Sequence, residues 1–128
     1  MIYLDTSVAL AHLLAEDRRP PSAIWNEELV TSRLLEYEFW NRLHGRDLAR
    51  SHGDMARQML ARVAWLELHP KVLARALMPF PTPVRTLDAL HLASVGFLRE
   101  HGNAVTLATY DERMARAAEA MGIPLHSL

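Results

Sequence analysis

The sequence predicts an α/β fold, a three-layer α/β/α sandwich with a central parallel sheet, and three observations carry that expectation. Short apolar runs alternate with helical-period segments of ten or more residues, the pattern of a parallel sheet covered on both faces. The opening stretch Met1-Ile2-Tyr3-Leu4-Asp5-Thr6-Ser7 reads as a buried strand that runs straight into a carboxylate and two hydroxyls. The chain has 128 residues, 50% of them hydrophobic, without repeats or a long polar linker, so a single domain over 1–128 is expected.

Taken in order, residues 2–4 form the first strand. Val8, Leu10, Leu13 and Leu14 recur at near-helical spacing and predict a first helix over 8–15, capped by Thr6 or Ser7. Glu16 to Pro21 is a loop, because two prolines stop a helix and the charges favour water. Ser22 to Asn26 adds a turn of helix, and Leu29-Val30-Thr31 is a second strand. Ser32 caps a second helix from Arg33 to about His44, ended by Gly45, with Leu34, Leu35, Phe39 and Leu43 as its apolar stripe.

Residues 46–63 read as further helix, with Met55, Met59, Leu60 and Val63 on one side. Residues 64–68 form a third strand. Pro70 suits the first turn of a helix that runs to about Met78, and residues 79–83 make a rigid, proline-rich connector. Thr86 caps a long helix to about His101, closed by Gly102. Residues 104–108 form a fourth strand. Thr109 and Glu112 have capping-box spacing before a last helix over 111–121. Residues 123–126 are expected to add a final strand.

Composition narrows the function. No apolar run is long enough to cross a bilayer, and Asp5 interrupts an opening that also lacks the basic residues of a signal peptide. The absence of cysteine excludes disulfides and Cys-ligated metals and fits a reducing cytoplasm. The formal net charge of −1 argues weakly against nucleic acid until the charges are sorted. Lys71 is the only lysine among fourteen basic residues, so thirteen are arginine, the side chain that contacts phosphate bidentately. If a metal neutralised four of the fifteen acids, eleven would face fourteen bases.

Right-handed crossovers bring the strand-to-helix turns to one sheet edge, where ligands of open α/β sheets bind. Asp5 and Asp111 each follow a strand directly, Asp88 is in a first helical turn, and Glu38 is about two turns into a helix that starts at the same edge. Each has an ordinary explanation. The three aspartates favour helix N-termini by about 0.3–1 kcal/mol, and Glu38 has Arg42 four residues on for a pair worth a few tenths of a kcal/mol. Convergence is harder to explain that way. Crowded carboxylates repel each other and raise each other's pKa, and a hard cation such as Mg²⁺ or Mn²⁺ relieves this.

Tyr3-Leu4-Asp5-Thr6-Ser7, Ser32 with Glu38 six residues later, Leu87-Asp88-Ala89-Leu90-His91-Leu92-Ala93 and Thr109-Tyr110-Asp111 follow one another in the order found in a known family. Nearly end to end, the chain resembles a PIN-domain ribonuclease, specifically the VapC-type toxin of a toxin–antitoxin pair. The resemblance implies that Asp5, Glu38, Asp88 and Asp111 bind Mg²⁺ or Mn²⁺ directly or through water, with Ser7 and Thr109 as supporting hydroxyls; Asp111 belongs to the family's least fixed motif. It also implies metal-dependent hydrolysis of RNA leaving a 5′-phosphate and a 3′-hydroxyl, a small cognate antitoxin whose tail inserts an Arg or Lys into the acidic site, and a homodimer formed through apolar helical faces.

Arg42, Arg46 and Arg50 are candidates for phosphate contact near the site. His91 is expected to pack within its helix and hydrogen-bond locally. A receiver domain would place a paired acid after its first strand, and a haloacid-dehalogenase-type phosphatase would carry an aspartate where Ser7 stands. A non-toxin RNA-processing nuclease and a non-catalytic PIN-like binding module are the remaining alternatives, and the four retained acids count against the second.

Overall fold

The computed structural model describes residues 1–128. Four parallel strands, β1 (Ile2–Leu4), β2 (Leu29–Ser32), β3 (Ala64–Leu66) and β4 (Thr106–Ala108), form a sheet in the order β3-β2-β1-β4. Six helices accompany it: α1 (Thr6–Leu13), α2 (Leu34–Gly45), α3 (Ala49–Leu60), α4 (Pro70–Ala76), α5 (Thr86–Glu100) and α6 (Glu112–Ala120).

The side-chain alternation of the strands divides the core in two. Ile2, Leu4, Leu29 and Ala108 face a cluster containing Val8 of α1, Leu35, Phe39 and Leu43 of α2, and Ala56 and Leu60 of α3. Tyr3, Val30 and Leu107 point the other way, toward Leu92, Val95 and Leu98 of α5 and Met114, Ala117 and Ala118 of α6. Helix α4 packs on α5. The expected three-layer α/β/α sandwich with a parallel sheet is therefore the observed architecture.

Strand β1 lies between β2 and β4, with Ile2 opposite Leu29 on one side and Leu4 opposite Ala108 on the other. The chain leaves β1 toward β2 and later returns to the opposite side at β4. The carboxyl ends of β1 and β4 thus flank the topological switch point, the usual ligand crevice of such sheets. The Asp5 amide continues the ladder by donating to the Ala108 carbonyl at 3.0 Å, so Asp5 and Thr109 emerge beside each other.

Several local expectations are corrected. The first helix is capped by Asp5, not by Thr6 or Ser7, because the β1 ladder extends to Asp5 and its carboxylate then accepts from the Ser7 amide. Ser32 caps the second helix as expected: its hydroxyl accepts from Leu34 N at 3.1 Å, and Arg33 already has helical dihedrals, although the hydrogen-bonded helix is bounded at Leu34. Thr86 is the first residue of α5 and Arg85 occupies the N-cap. In α6 the cap is Asp111, whose Oδ1 accepts from the amides of Arg113 and Met114.

The expected helix over 46–63 starts later, at Ala49, after a turn in which Asp47 takes a positive φ of 55°. The final strand reduces to one parallel bridge between Leu107 and Leu125. There Pro124 supplies a carbonyl to Leu107 N but has no N–H of its own to extend the ladder.

Candidate active site

Asp5 leaves β1 at the switch point and is only 5% exposed. Burial of a carboxylate requires donors, and three converge on Oδ2: Ser7 Oγ at 2.6 Å, Thr109 Oγ1 at 2.8 Å and the Ser7 amide at 3.4 Å. The two hydroxyls are fixed in turn, Ser7 Oγ accepting from Tyr110 N and Thr109 Oγ1 from Asp111 N, each at 3.0 Å. The web ties the start of α1 to the loop after β4 and spends the hydroxyl protons on one oxygen of Asp5. Oδ1 takes no hydrogen bond.

Glu38 projects from α2. The ordinary alternative, an ion pair with Arg42, does not form. Oε1 instead accepts from Thr6 Oγ1 at 2.9 Å and from His91 Nε2 at 2.5 Å. His91 is 1% exposed and its Nδ1 meets Tyr3 Oη at 2.8 Å. The expectation of local hydrogen bonding for His91 is therefore corrected, because its partners are on β1 and α2. Burial disfavours charge on its ring, but the Tyr3 oxygen, the Glu38 hydrogen bond and the carboxylates of Asp5 and Glu38 outweigh it and raise its pKa above the ordinary value.

Asp88 is in the first turn of α5, and its Oδ2 is a buried oxygen without a hydrogen-bond partner. Burial first, then the charges of Asp111 and Asp5, push its pKa up. Asp88 thus feels the charges of both Asp111, in the β4–α6 loop, and Asp5, at the end of β1. Asp111 caps α6 through Oδ1 alone.

All four acids line a single pocket of about 660 Å³, together with Thr6, Ser7, Tyr110 and three arginines, Arg18, Arg42 and Arg85. Arg46 does not line it; it stands exposed at the C-terminal end of α2. Arg18 lies over the Tyr110 ring, 5.1 Å from its centroid. None of the three pocket arginines forms an ion pair, despite the carboxylates around them.

No three histidine or carboxylate side chains form a ready-made ligand cluster; the acids are braced separately. Their donor set nevertheless suits a hard cation. It is all oxygen, and it includes an unpartnered buried carboxylate oxygen that water does not reach.

The model of the PIN domain family matches residues 2–120 of this chain. The chain belongs to the PIN domain family. Its relatives include Ribonuclease VapC35 of Mycobacterium tuberculosis (strain ATCC 25618 / H37Rv), 30% identical over 129 residues that cover 96% of this chain and 93% of the relative. Ribonuclease VapC46 of the same strain is 35% identical over 130 residues, covering 95% and 93%. Among solved structures, PAE2754 from Pyrobaculum aerophilum shares the fold with a TM-score of 0.64 at 22% identity, over 91% of this chain and 78% of that one. The resemblance to PIN-domain, VapC-type proteins is thus borne out.

Within this PIN domain, sequence reasoning missed four pocket residues. Thr6, a cap candidate by its position, braces Glu38 instead. Arg18 and Tyr110 meet across 92 residues of chain, and Arg85 follows the proline-rich connector. Nothing in local spacing marks these contacts. The one usable signal was the short distance of Arg85 and Tyr110 from Asp88 and Asp111 along the chain.

Proposed function

We propose that this PIN domain, acting as a single unit over residues 1–128, is a metal-dependent endoribonuclease and the toxin of a toxin–antitoxin pair. The observation that carries the reading is the convergence of Asp5, Glu38, Asp88 and Asp111 on one pocket, with an Asp88 oxygen buried and unpartnered. The VapC ribonuclease relatives support the same activity.

In this reading the four acids hold Mg²⁺ or Mn²⁺, which when bound supplies the Lewis acidity and water activation that phosphodiester hydrolysis needs. Ser7 and Thr109 fix Asp5 through Oδ2 and leave Oδ1 free of hydrogen bonds. Arg18, Arg42 and Arg85, free of ion pairs and lining the same pocket as the acids, contact phosphates of the RNA strand. Arg46, outside the pocket lining, is not retained as a phosphate contact.

The proposed antitoxin neutralises the same acids with a basic side chain. A second copy of the chain would bind an apolar helical surface, and the most exposed one is at α4 and the loop after it, where Leu73, Leu77 and Met78 face outward. We propose the cytoplasm as its location, in keeping with the ribonuclease reading. No helix is long and apolar enough to cross a membrane.

The test is incubation of purified protein with single-stranded RNA and Mn²⁺ or Mg²⁺. Cleavage should stop with EDTA and in the Asp5→Asn and Asp88→Asn variants. Equal cleavage by the variants would reject the site, and metal-independent cleavage would reject the chemistry.

A further inference from the structure

We infer that His91 is a positioning residue that orients Glu38 for a divalent cation, an assignment that rests on the nuclease reading above. The ring is 1% exposed, and both of its nitrogens are used by residues far away in sequence. A chain of polar groups runs from the end of β2 through the core to the pocket: Ser32 N to Tyr3 Oη at 3.1 Å, Tyr3 Oη to His91 Nδ1 at 2.8 Å, and His91 Nε2 to Glu38 Oε1 at 2.5 Å.

The proton inventory gives this chain a direction. An ionised Glu38 has no proton to offer, so Nε2 carries the hydrogen. That holds whether the ring is neutral or charged, because the Tyr3 hydroxyl is able either to donate to Nδ1 or to accept from it. Thr6 Oγ1 donates to the same oxygen of Glu38 at 2.9 Å. One carboxylate oxygen is therefore clamped by donors from α1 and α5, while Oε2 takes no hydrogen bond.

His91 is also three residues beyond Asp88, one turn along α5. A single rigid helix thus delivers one acid to the pocket and the donor that aims another. Partners of this kind fix the orientation and basicity of metal ligands, and losing one typically costs about 10–100-fold in metal affinity. A histidine retained only to fill the core would need its nitrogens satisfied, but not by a pocket carboxylate.

The experiment is Mn²⁺ titration by calorimetry of the EDTA-stripped full chain, comparing wild type, His91→Gln and His91→Asn. Glutamine places an amide N–H where Nε2 stands; asparagine places one where Nδ1 stands. His91→Gln should stay near wild type, and His91→Asn should bind at least about tenfold more weakly. Equal affinities of the two variants would overturn the assignment. In the metal-free wild type, ¹H–¹⁵N spectra should show a protonated His91 Nε2, a readout that needs no variant; an unprotonated Nε2 would also overturn it. If wild type binds no Mn²⁺, or Asp88→Asn binds as wild type does, the nuclease reading falls and takes this role with it. If wild type and Asp88→Asn differ as expected while His91→Asn matches wild type, only the positioning role is lost.

Discussion

Replacing Asp88 by alanine should make the metal-free protein more stable and the metal-bound protein less so. The buried Oδ2 has no partner, and an unsatisfied buried polar atom costs about 1–3 kcal/mol. The first-turn carboxylate returns about 0.3–1 kcal/mol from the helix N-terminus, where the Arg85 backbone also favours its charged form. Removing both leaves a net gain on the order of 1 kcal/mol in EDTA.

The pH dependence has a definite sign. Burial and the charges of Asp111 and Asp5 raise the Asp88 pKa above its ordinary 3.8. The folded state therefore holds this proton more tightly than the unfolded chain, and wild type loses stability as pH rises from 3.8 through the raised value. The advantage of Asp88→Ala should be larger at pH 8 than at pH 3. With Mn²⁺ at a hundredfold excess over its Kd, wild type gains about 2.7 kcal/mol by mass action and the variant much less, so the order reverses.

Urea unfolding of both proteins at the two pH values, with EDTA and with Mn²⁺, measures all of this. A variant less stable than wild type in EDTA at pH 8, or one equally stabilised by Mn²⁺, would refute the reasoning.

Three further outcomes are expected. Glu38→Gln should lower the RNA cleavage rate more than about 100-fold, beyond what outer-shell changes usually do, and a smaller loss would demote Glu38 from the proposed ligand set. Ser7→Ala and Thr109→Val each delete a hydrogen bond to a charged acceptor, worth about 1.5–3 kcal/mol. Both should weaken Mn²⁺ binding, as calorimetry would show, and unchanged affinity would mean that Asp5 needs neither brace. Arg18→Ala and Arg85→Ala should each reduce the slope of log affinity for single-stranded RNA against log salt by about 0.7, whereas Arg46→Ala should leave it unchanged; a reversed pattern in fluorescence-anisotropy titrations would move the RNA path to the far end of α2.

The layer architecture was readable because it depends on periodicity. Ile2 and Leu4 face one cluster and Tyr3 the other, which an apolar run bounded by Asp5 already implies. Asp5, Glu38, Asp88 and Asp111 were readable because each is close along the chain to a predictable strand end or helix start. Helix caps were less so. Thr6, Ser7 and Asp5 are all competent caps, and the choice fell to Asp5 because the ladder with Ala108 extends to its amide.

What the sequence determined by itself is the order of strands and helices and the set of acids that the crossovers carry to one edge, since these follow from local pattern and chain handedness. Only the tertiary structure decided what each side chain does there. Glu38 could pair with Arg42 four residues away, but the fold brings Thr6 of α1 and His91 of α5 within its reach instead. Arg42 and Arg46 have the same local credentials, yet only the first lines the pocket. Hydrogen bonds between residues 53 or 88 positions apart leave no trace in spacing, because their donors and acceptors meet only once the sheet has brought the helices together.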